Sequence, residues 1–150
     1  MVRQRNISNL KTEKEGIIIL KKLLPNFHVP TKEERIFIYK QLGIDYKKYS
    51  RSVDGIALNV NSIKDIRDLH DVDLVEIKTT KAKNVVELPY GVFFGITENE
   101  ENLFKSMDNY KLCIVHTIME KYIMLTFNEY ESLIQNKRIQ FQVNFKSKQR

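Results

Sequence analysis

The chain has 150 residues, of which 42% are hydrophobic and 29% charged, a composition that excludes a disordered chain and is typical of one globular domain. No long apolar run, no signal peptide and only one cysteine are present, so we expect no membrane span, no internal disulfide and a cytoplasmic location. The net charge of +6 favours polyanionic partners, although many small lysine-rich proteins are basic through composition alone.

The N-terminal third of the chain predicts two helices. Residues 12–24, TEKEGIIILKKLL, have helical character and are stopped by Pro25. Residues 31–42 predict a second helix, with Thr31 as its N-cap and Gly43 as its stop.

The remaining elements alternate between strands and helices. Strands are predicted at 52–60, 72–80, 92–97, 110–118, 122–127 and 138–145. The connection at 61–71 accommodates a turn or a short helical piece. A helix from 98 to about 107 follows the capping-box pattern of Thr97 and Glu100, and another is predicted at 128–137. This order predicts an α/β (α+β) domain over residues 1–150, with a mixed β-sheet flanked by helices.

One predicted strand, VDLVEIKTT at 72–80, carries a charged pair in its middle. Glu76 and Lys78 are two residues apart, so they point to the same face of the sheet. The chain contains one other acid-x-Lys triplet, Asp45 to Lys47, but it lies in a polar turn after Gly43 and indicates a solvated loop. Context therefore favours Glu76 and Lys78 as the functional pair.

A second acid, Asp54, opens the preceding predicted strand. If the two strands are neighbours, Asp54 and Glu76 converge, and two carboxylates in an oxygen-rich site suit Mg²⁺. The backbone carbonyl of Ile77 is a plausible further ligand. Lys78 would orient the attacking water or stabilise charge on a reacting phosphate.

This pattern resembles the PD-(D/E)XK nuclease superfamily. Asp54, 21 intervening residues and then Glu76-Ile77-Lys78 follow an N-terminal helix, although Val53 replaces the proline of the name. The run VEIKTTKA…VFFGITENEENLFKSMDNYKLCIVH is also similar to the nuclease-like domain at the C-terminus of the plant NO VEIN protein and in bacterial restriction proteins. The resemblance covers about residues 53–116.

The resemblance implies a restriction-endonuclease-like fold and a divalent-metal-dependent DNA endonuclease of the restriction type. Mg²⁺ is the expected cofactor, with Mn²⁺ as a substitute, and double-stranded DNA is the expected substrate. Since one site cuts one strand, we expect a homodimer. The superfamily often adds an acid from the first helix, and helical periodicity favours Glu13 over Glu15. Thr80, Lys81 and Lys83 are the candidate DNA contacts.

Two other functions remain open at this point. One is a structure-specific nuclease with the same site, such as a Holliday-junction resolvase; the other is a non-catalytic nucleic-acid-binding domain. Among the remaining polar residues, Asp71, Asp73 and His70 are interpreted as loop residues and Cys113 as part of the core. Glu100 is interpreted mainly as a helix cap, although the resemblance allows it a role near the site.

Overall fold

The computed structural model describes residues 2–148, with side chains from Lys11 onward, and its framework is a five-stranded sheet. The strands are β1 (Phe27–His28), β2 (Gly55–Leu58), β3 (Val72–Thr80), β4 (Tyr110–His116) and β5 (Lys121–Leu125). They lie side by side in chain order; β3 and β4 are parallel and the other neighbours are antiparallel. The mixed sheet predicted from the sequence is confirmed.

Helices cover both faces of this sheet. They are α1 (Val2–Leu23), α2 (Lys32–Leu42), α3 (Tyr46–Tyr49), α4 (Glu98–Ser106) and α5 (Phe127–Leu133), with a 3-10 turn at Ile63–Asp65. On one face, Leu20 of α1 belongs to the same core cluster as Val75. On the other face, Ile38, Phe104 and Tyr130 bring α2, α4 and α5 into a larger cluster. None of the helices in the described residues is long and apolar enough to cross a membrane.

Local side-chain hydrogen bonds define where the helices begin. Thr31 and Glu34 form a capping box at the start of α2, and Gly43 ends that helix in the left-handed region at φ 70°. Thr97 and Glu100 form a second capping box at the start of α4. Both helix starts were predicted from the sequence and are confirmed.

Helix α1 approaches β3 unusually closely at Gly16. A Cβ atom at this position would lie 2.8 Å from the Thr79 methyl group and 3.2 Å from a methyl group of Ile77. Glycine is therefore required here for close packing, in spite of its cost inside a helix. This contact brings the part of α1 around Gly16 next to the C-terminal half of β3.

The prediction of a strand at residues 92–97 is wrong, because none of the strands between residues 2 and 148 pairs with this segment. It belongs to the long crossover between the parallel strands β3 and β4. Val92, Phe94 and Ile96 pack against the core, while Phe93 is 95% exposed. Inward and outward side chains therefore do alternate along this segment. The alternation arises because the segment packs against the core cluster that includes the helices, and not because it belongs to the sheet.

The prediction of a final strand at residues 138–145 is also wrong. The segment has no regular secondary structure, and its four alternating apolar side chains are exposed by 72 to 93%: Ile139, Phe141, Val143 and Phe145. Alternation predicts an apolar face, but a strand also needs a neighbour to share its hydrogen bonds. Within the described residues β5 pairs only with β4, so the segment does not extend the sheet.

Smaller differences concern short elements. The turn around Asp45 contains the one-turn helix α3, which Asp45 caps through hydrogen bonds from the Lys47 and Lys48 amides. The two-residue strand β1 was not predicted, and β2 is shorter than the predicted 52–60. Asp73 lies within β3 and not in a loop.

Candidate active site

A cleft opens where β2 begins and its neighbour β3 continues. The pairing of these strands starts at Gly55 and Val75, and beyond Val75 the described residues provide no strand partner on this side of β3. The result is a cavity of about 890 Å³. Its lining includes Glu13, Asp54, Glu76, Lys78 and Glu100.

Asp54 forms hydrogen bonds with the backbone of β3 at the point where β2 no longer pairs with it. Its amide donates to the Val75 carbonyl at 2.9 Å, and its Oδ2 accepts a hydrogen bond from the Ile77 amide at 2.8 Å. Since the N–H and C=O of a strand residue point to the same side, the Ile77 carbonyl faces the cleft as well. The carboxylate of Asp54 thus replaces the missing strand and is held firmly in place.

Glu76 is the most deeply buried acid of the cleft. The residue is only 3% exposed, and within the described part of the chain its Oε2 atom is buried with no hydrogen-bond partner. Burial raises the pKa of its carboxyl well above the usual range, helped by a hydrogen bond with Glu100 and by the charge of Asp54. A buried carboxyl oxygen without a hydrogen-bond partner is costly, and such an oxygen is suited to bind a divalent cation.

Lys78 lies between two glutamates. Its Nζ is 3.4 Å from Glu76 Oε1 and 3.2 Å from Glu100 Oε1, and its side chain is 16% exposed. Burial lowers the pKa of Lys78, but the two carboxylates raise it by more, so the net shift is upward and the amine stays protonated. The strand parity that placed Glu76 and Lys78 on one face was a correct prediction.

Glu100 has two functions in this geometry. Its Oε1 accepts from the Thr97 amide at 2.8 Å, as a capping residue does, and also from Lys78. Burial raises its pKa, but hydrogen bonding with Glu76 and the charge of Lys78 outweigh that effect and lower it. Sequence reasoning identified the cap but not the contact with Lys78, since a capping box carries no signal for a tertiary contact.

Glu13 enters the cleft from α1, on the opposite face of the sheet from α4. Burial, the charge of Asp54 and a hydrogen bond with Asp54 raise the pKa of Glu13 to about 7. Glu15 instead forms an ion pair with Lys81, at 3.3 Å. Of the two acids, Glu13, which helical periodicity favours, is the one that lines the cleft.

The predicted DNA contacts lie outside the cavity lining, at the end of β3 and in the loop after it. Thr80 Oγ1 accepts from the Ala82 amide at 3.2 Å, Lys81 is paired with Glu15, and Lys83 is exposed. Two arginines that were not predicted do line the cavity. Arg35 donates to the Val53 carbonyl, and Arg51 is exposed.

The competing candidates lie elsewhere. Asp45 caps α3 and does not line the cavity, so the rival triplet remains a solvated turn. Asp71 accepts hydrogen bonds from two loop amides, and His70 is exposed. Cys113 is a free, buried thiol in the core, as predicted.

The donor set of the cleft suits a hard divalent cation. Among the described residues no group of three or more His, Cys, Asp or Glu is arranged to hold a metal. Mg²⁺, however, is commonly held by one or two carboxylates together with waters and substrate phosphate. Asp54, Glu76 and the Ile77 carbonyl supply such a set, and the Glu76 Oε2 atom without a donor is the observation that fits it.

Comparisons with protein-family models, curated proteins and solved structures found no significant match to this chain. Its function is therefore inferred from the geometry of the cleft and from the motif that the cleft contains.

Proposed function

We propose that this protein is a divalent-metal-dependent DNA endonuclease of the restriction type. The observation that carries the proposal is the position of Lys78, held between Glu76 and Glu100 in a cleft whose floor is the Asp54 carboxylate. Four acids and one lysine in a cavity of about 890 Å³ supply the residue types that phosphodiester hydrolysis requires.

Asp54, Glu76 and the Ile77 carbonyl would hold Mg²⁺, or Mn²⁺ in its place. When bound, the ion would lower the pKa of a coordinated water and neutralise charge that develops on the phosphate. The chain's own groups complete the site. Lys78 presents a fixed positive charge to the phosphate oxygens, and Glu100 prevents that amine from moving away.

Glu13 is suited to accept a proton from the attacking water. It lies in the cleft beside Asp54, and in the metal-free protein burial and the charge of Asp54 raise its pKa to about 7, which makes it a better base than an ordinary glutamate. In the overall reaction, water adds its oxygen to phosphorus, the P–O bond to the leaving nucleotide breaks, and the proton lost by the water passes to a carboxylate.

Double-stranded DNA is the substrate that the charge supports. The net charge is +6, and Lys81 and Lys83 lie in the loop that directly follows β3, the strand that carries Glu76 and Lys78. DNA affinity should therefore fall steeply with salt, each phosphate contact adding about 0.9 to the log–log slope. Replacing Lys81 and Lys83 by alanine should flatten that slope, whereas Lys64→Ala, in the 3-10 turn that follows the far end of β2, should not.

A gel assay tests the activity. Linear, supercoiled and branched DNA are incubated with Mg²⁺ or with EDTA. Discrete fragments from plasmid DNA, formed only with Mg²⁺, support a restriction-type enzyme. Cutting confined to branched DNA indicates a resolvase, and a mobility shift without cutting indicates a binding domain.

We also propose a homodimer, and the exposed segment 138–145 supports it. The chain carries both an unpaired segment with strand alternation and a sheet edge at β5 that has only β4 as neighbour in the described residues. A segment from each copy can add to the β5 edge of the other, which is a reciprocal, closed arrangement. Such an exchange would cover the side chains of Phe141 and Val143.

Light scattering after size exclusion tests the dimer. Phe141→Asp should produce a monomer, and Val86→Asp, a substitution at another exposed apolar residue, should not. A wild-type protein that is monomeric at every concentration would rule out the dimer. Protection of the segment from proteolysis in such a monomer would show that it pairs within its own chain.

A further inference from the structure

Phe93 is an almost fully exposed aromatic side chain at the edge of the candidate active site. It is 95% exposed and contributes to the lining of the same cavity as Glu76 and Lys78. None of the roles proposed above for metal binding, proton transfer or charge stabilisation uses this ring.

The backbone holds Phe93 in this position through its neighbours. Val92 and Phe94, on either side of it, pack against the core, and the Phe94 ring lies 6.5 Å from the Tyr130 ring between centroids. Because the two neighbours are anchored inward, the side chain between them projects outward on the cavity side. The next residue, Gly95, also lines the cavity, and a Cβ atom there would meet nothing within 4 Å. Space beside the ring is therefore open.

The surroundings of Phe93 suit a nucleic acid. Arg35, Arg51 and Lys78 line the same cavity beside the four acids of the candidate active site, and Arg51 is exposed, so basic and aromatic groups occur together at its edge. This combination is typical of surfaces that bind the backbone by charge and the bases by stacking. In an intact duplex the faces of each base are covered by its neighbours, so a ring at the scissile phosphate can stack only on a base that has left the helix.

We propose that Phe93 stacks on a base that leaves the duplex next to the scissile phosphate, so that double-stranded DNA whose bases are already unpaired at this position binds more tightly than fully paired DNA. This inference rests on the proposed nuclease function, because it takes the phosphate to lie over Glu76 and Lys78. Phe93 is then the residue that sets substrate preference, and the carboxylates and Lys78 supply the chemistry.

Fluorescence anisotropy in EDTA tests the preference without cutting. The probes are a short labelled duplex and the same duplex with a central mismatched stretch. Wild type should bind the mismatched duplex more tightly. Phe93→Ala should weaken that binding about 5- to 150-fold, the factor equivalent to 1–3 kcal/mol per stacked base, and should leave the paired duplex nearly unchanged.

Three further measurements separate stacking from general apolar contact. Phe93→Tyr should retain the preference and Phe93→Leu should lose it, because only tyrosine keeps an aromatic face. Val86→Ala, a truncation at a 76% exposed residue of the same loop outside the cavity, should behave as wild type. A 2-aminopurine base in the mismatched stretch should be quenched on binding by wild type and not by Phe93→Ala.

Three results would overturn the inference: wild type shows no preference for the mismatched duplex, Phe93→Ala binds it as wild type does, or the loss is equal for both duplexes. The nuclease proposal fails separately. If wild type binds through Phe93 but cuts neither duplex in Mg²⁺, the nuclease proposal is refuted and the stacking proposal stands. If both duplexes are cut and Phe93→Ala changes neither binding nor cutting, the nuclease proposal stands and the stacking proposal is refuted.

Discussion

Lys78 and Glu100 form a 3.2 Å ion pair that joins β3 to the first turn of α4. The same Glu100 oxygen also accepts the Thr97 amide, so the end of the helix and the cationic group of the cleft share one carboxylate. The position of the lysine is thereby coupled to the start of α4. Because one carboxylate serves both contacts, a substitution that keeps the cap and weakens the contact with Lys78 can test the two separately.

Glu100→Gln should lower cleavage by at least about tenfold, because a neutral amide holds the Lys78 amine less strongly than a carboxylate does. Glutamine retains an oxygen that can accept from Thr97, so the cap should survive. Glu129→Gln is the matched control, since Glu129 has the same place in the capping box of α5 and lies outside the cavity. Equal cleavage rates in the two variants would limit Glu100 to capping.

Lys78→Ala should lose cleavage by about 100-fold or more while keeping most DNA affinity. One lysine among 25 basic residues adds little to overall attraction, but a positioned charge at the reacting phosphate acts on the transition state. Cleavage rates and filter binding measure the two effects. Lys47→Ala, in the other acid-x-Lys triplet, should cut as wild type. Wild-type cutting by Lys78→Ala would end the nuclease assignment at this site.

Asp54→Asn should abolish metal binding and leave the fold intact. The asparagine carbonyl can still accept from the Ile77 amide, whereas the charge that attracts a divalent cation is lost. Mn²⁺ titration followed by electron paramagnetic resonance gives the affinity directly. Asp45→Asn is the control, because asparagine is an equally good helix cap at that position. Unchanged Mn²⁺ affinity in Asp54→Asn would place the metal elsewhere.

Gly16→Ala should destabilise the protein by about 1–3 kcal/mol, because the new methyl group would meet Thr79 at 2.8 Å and force α1 away from β3. Helix propensity alone predicts the opposite sign, a gain of about 1 kcal/mol. The free energy of unfolding, measured by urea denaturation of wild type and Gly16→Ala, decides between loss and gain of stability. The displacement should also lower cleavage, since α1 carries Glu13 into the cleft. A more stable variant would show that the close contact is absent in solution.

The raised pKa of Glu13 should appear in the pH dependence of stability without metal. A carboxyl whose pKa is about 7 in the folded state and near 4.5 in the unfolded state opposes folding when it is ionised. Its unfavourable contribution is absent below pH 4.5, grows as the pH rises, and is complete above about pH 7. Glu13→Gln should therefore be more stable than wild type at pH 8 in EDTA, with an advantage that disappears towards pH 4.5.

Thermal or urea unfolding of wild type and of Glu13→Gln between pH 4.5 and pH 8 measures the difference in their stability. The comparison cancels the carboxylates with lowered pKa values, such as Glu101 and Glu129, which act in the opposite direction in both proteins. A difference between the two proteins that does not vary with pH would show that the pKa of Glu13 is ordinary.

Several features of the site follow from the sequence because they depend on local periodicity. A period of two in β3 places Glu76 and Lys78 on one face, and a period of 3.6 in α1 turns Glu13 rather than Glu15 into the cleft. The start of α4 was predictable for the same reason, since Thr97 and Glu100 interact within a single turn.

Only the tertiary structure decided which groups from distant parts of the chain meet. The hydrogen bond from Ile77 to Asp54 exists because β2 begins opposite Val75, whereas β3 continues to Thr80. The contact of Glu100 with Lys78 exists because the first turn of α4 lies over that end of the sheet. Residues 92–97, which include Phe93, and segment 138–145 also needed the tertiary structure, because neither forms the strand that its pattern predicts. Their alternation was visible in the sequence, but a strand is completed by a neighbouring backbone, and local periodicity carries no information about which neighbour is present.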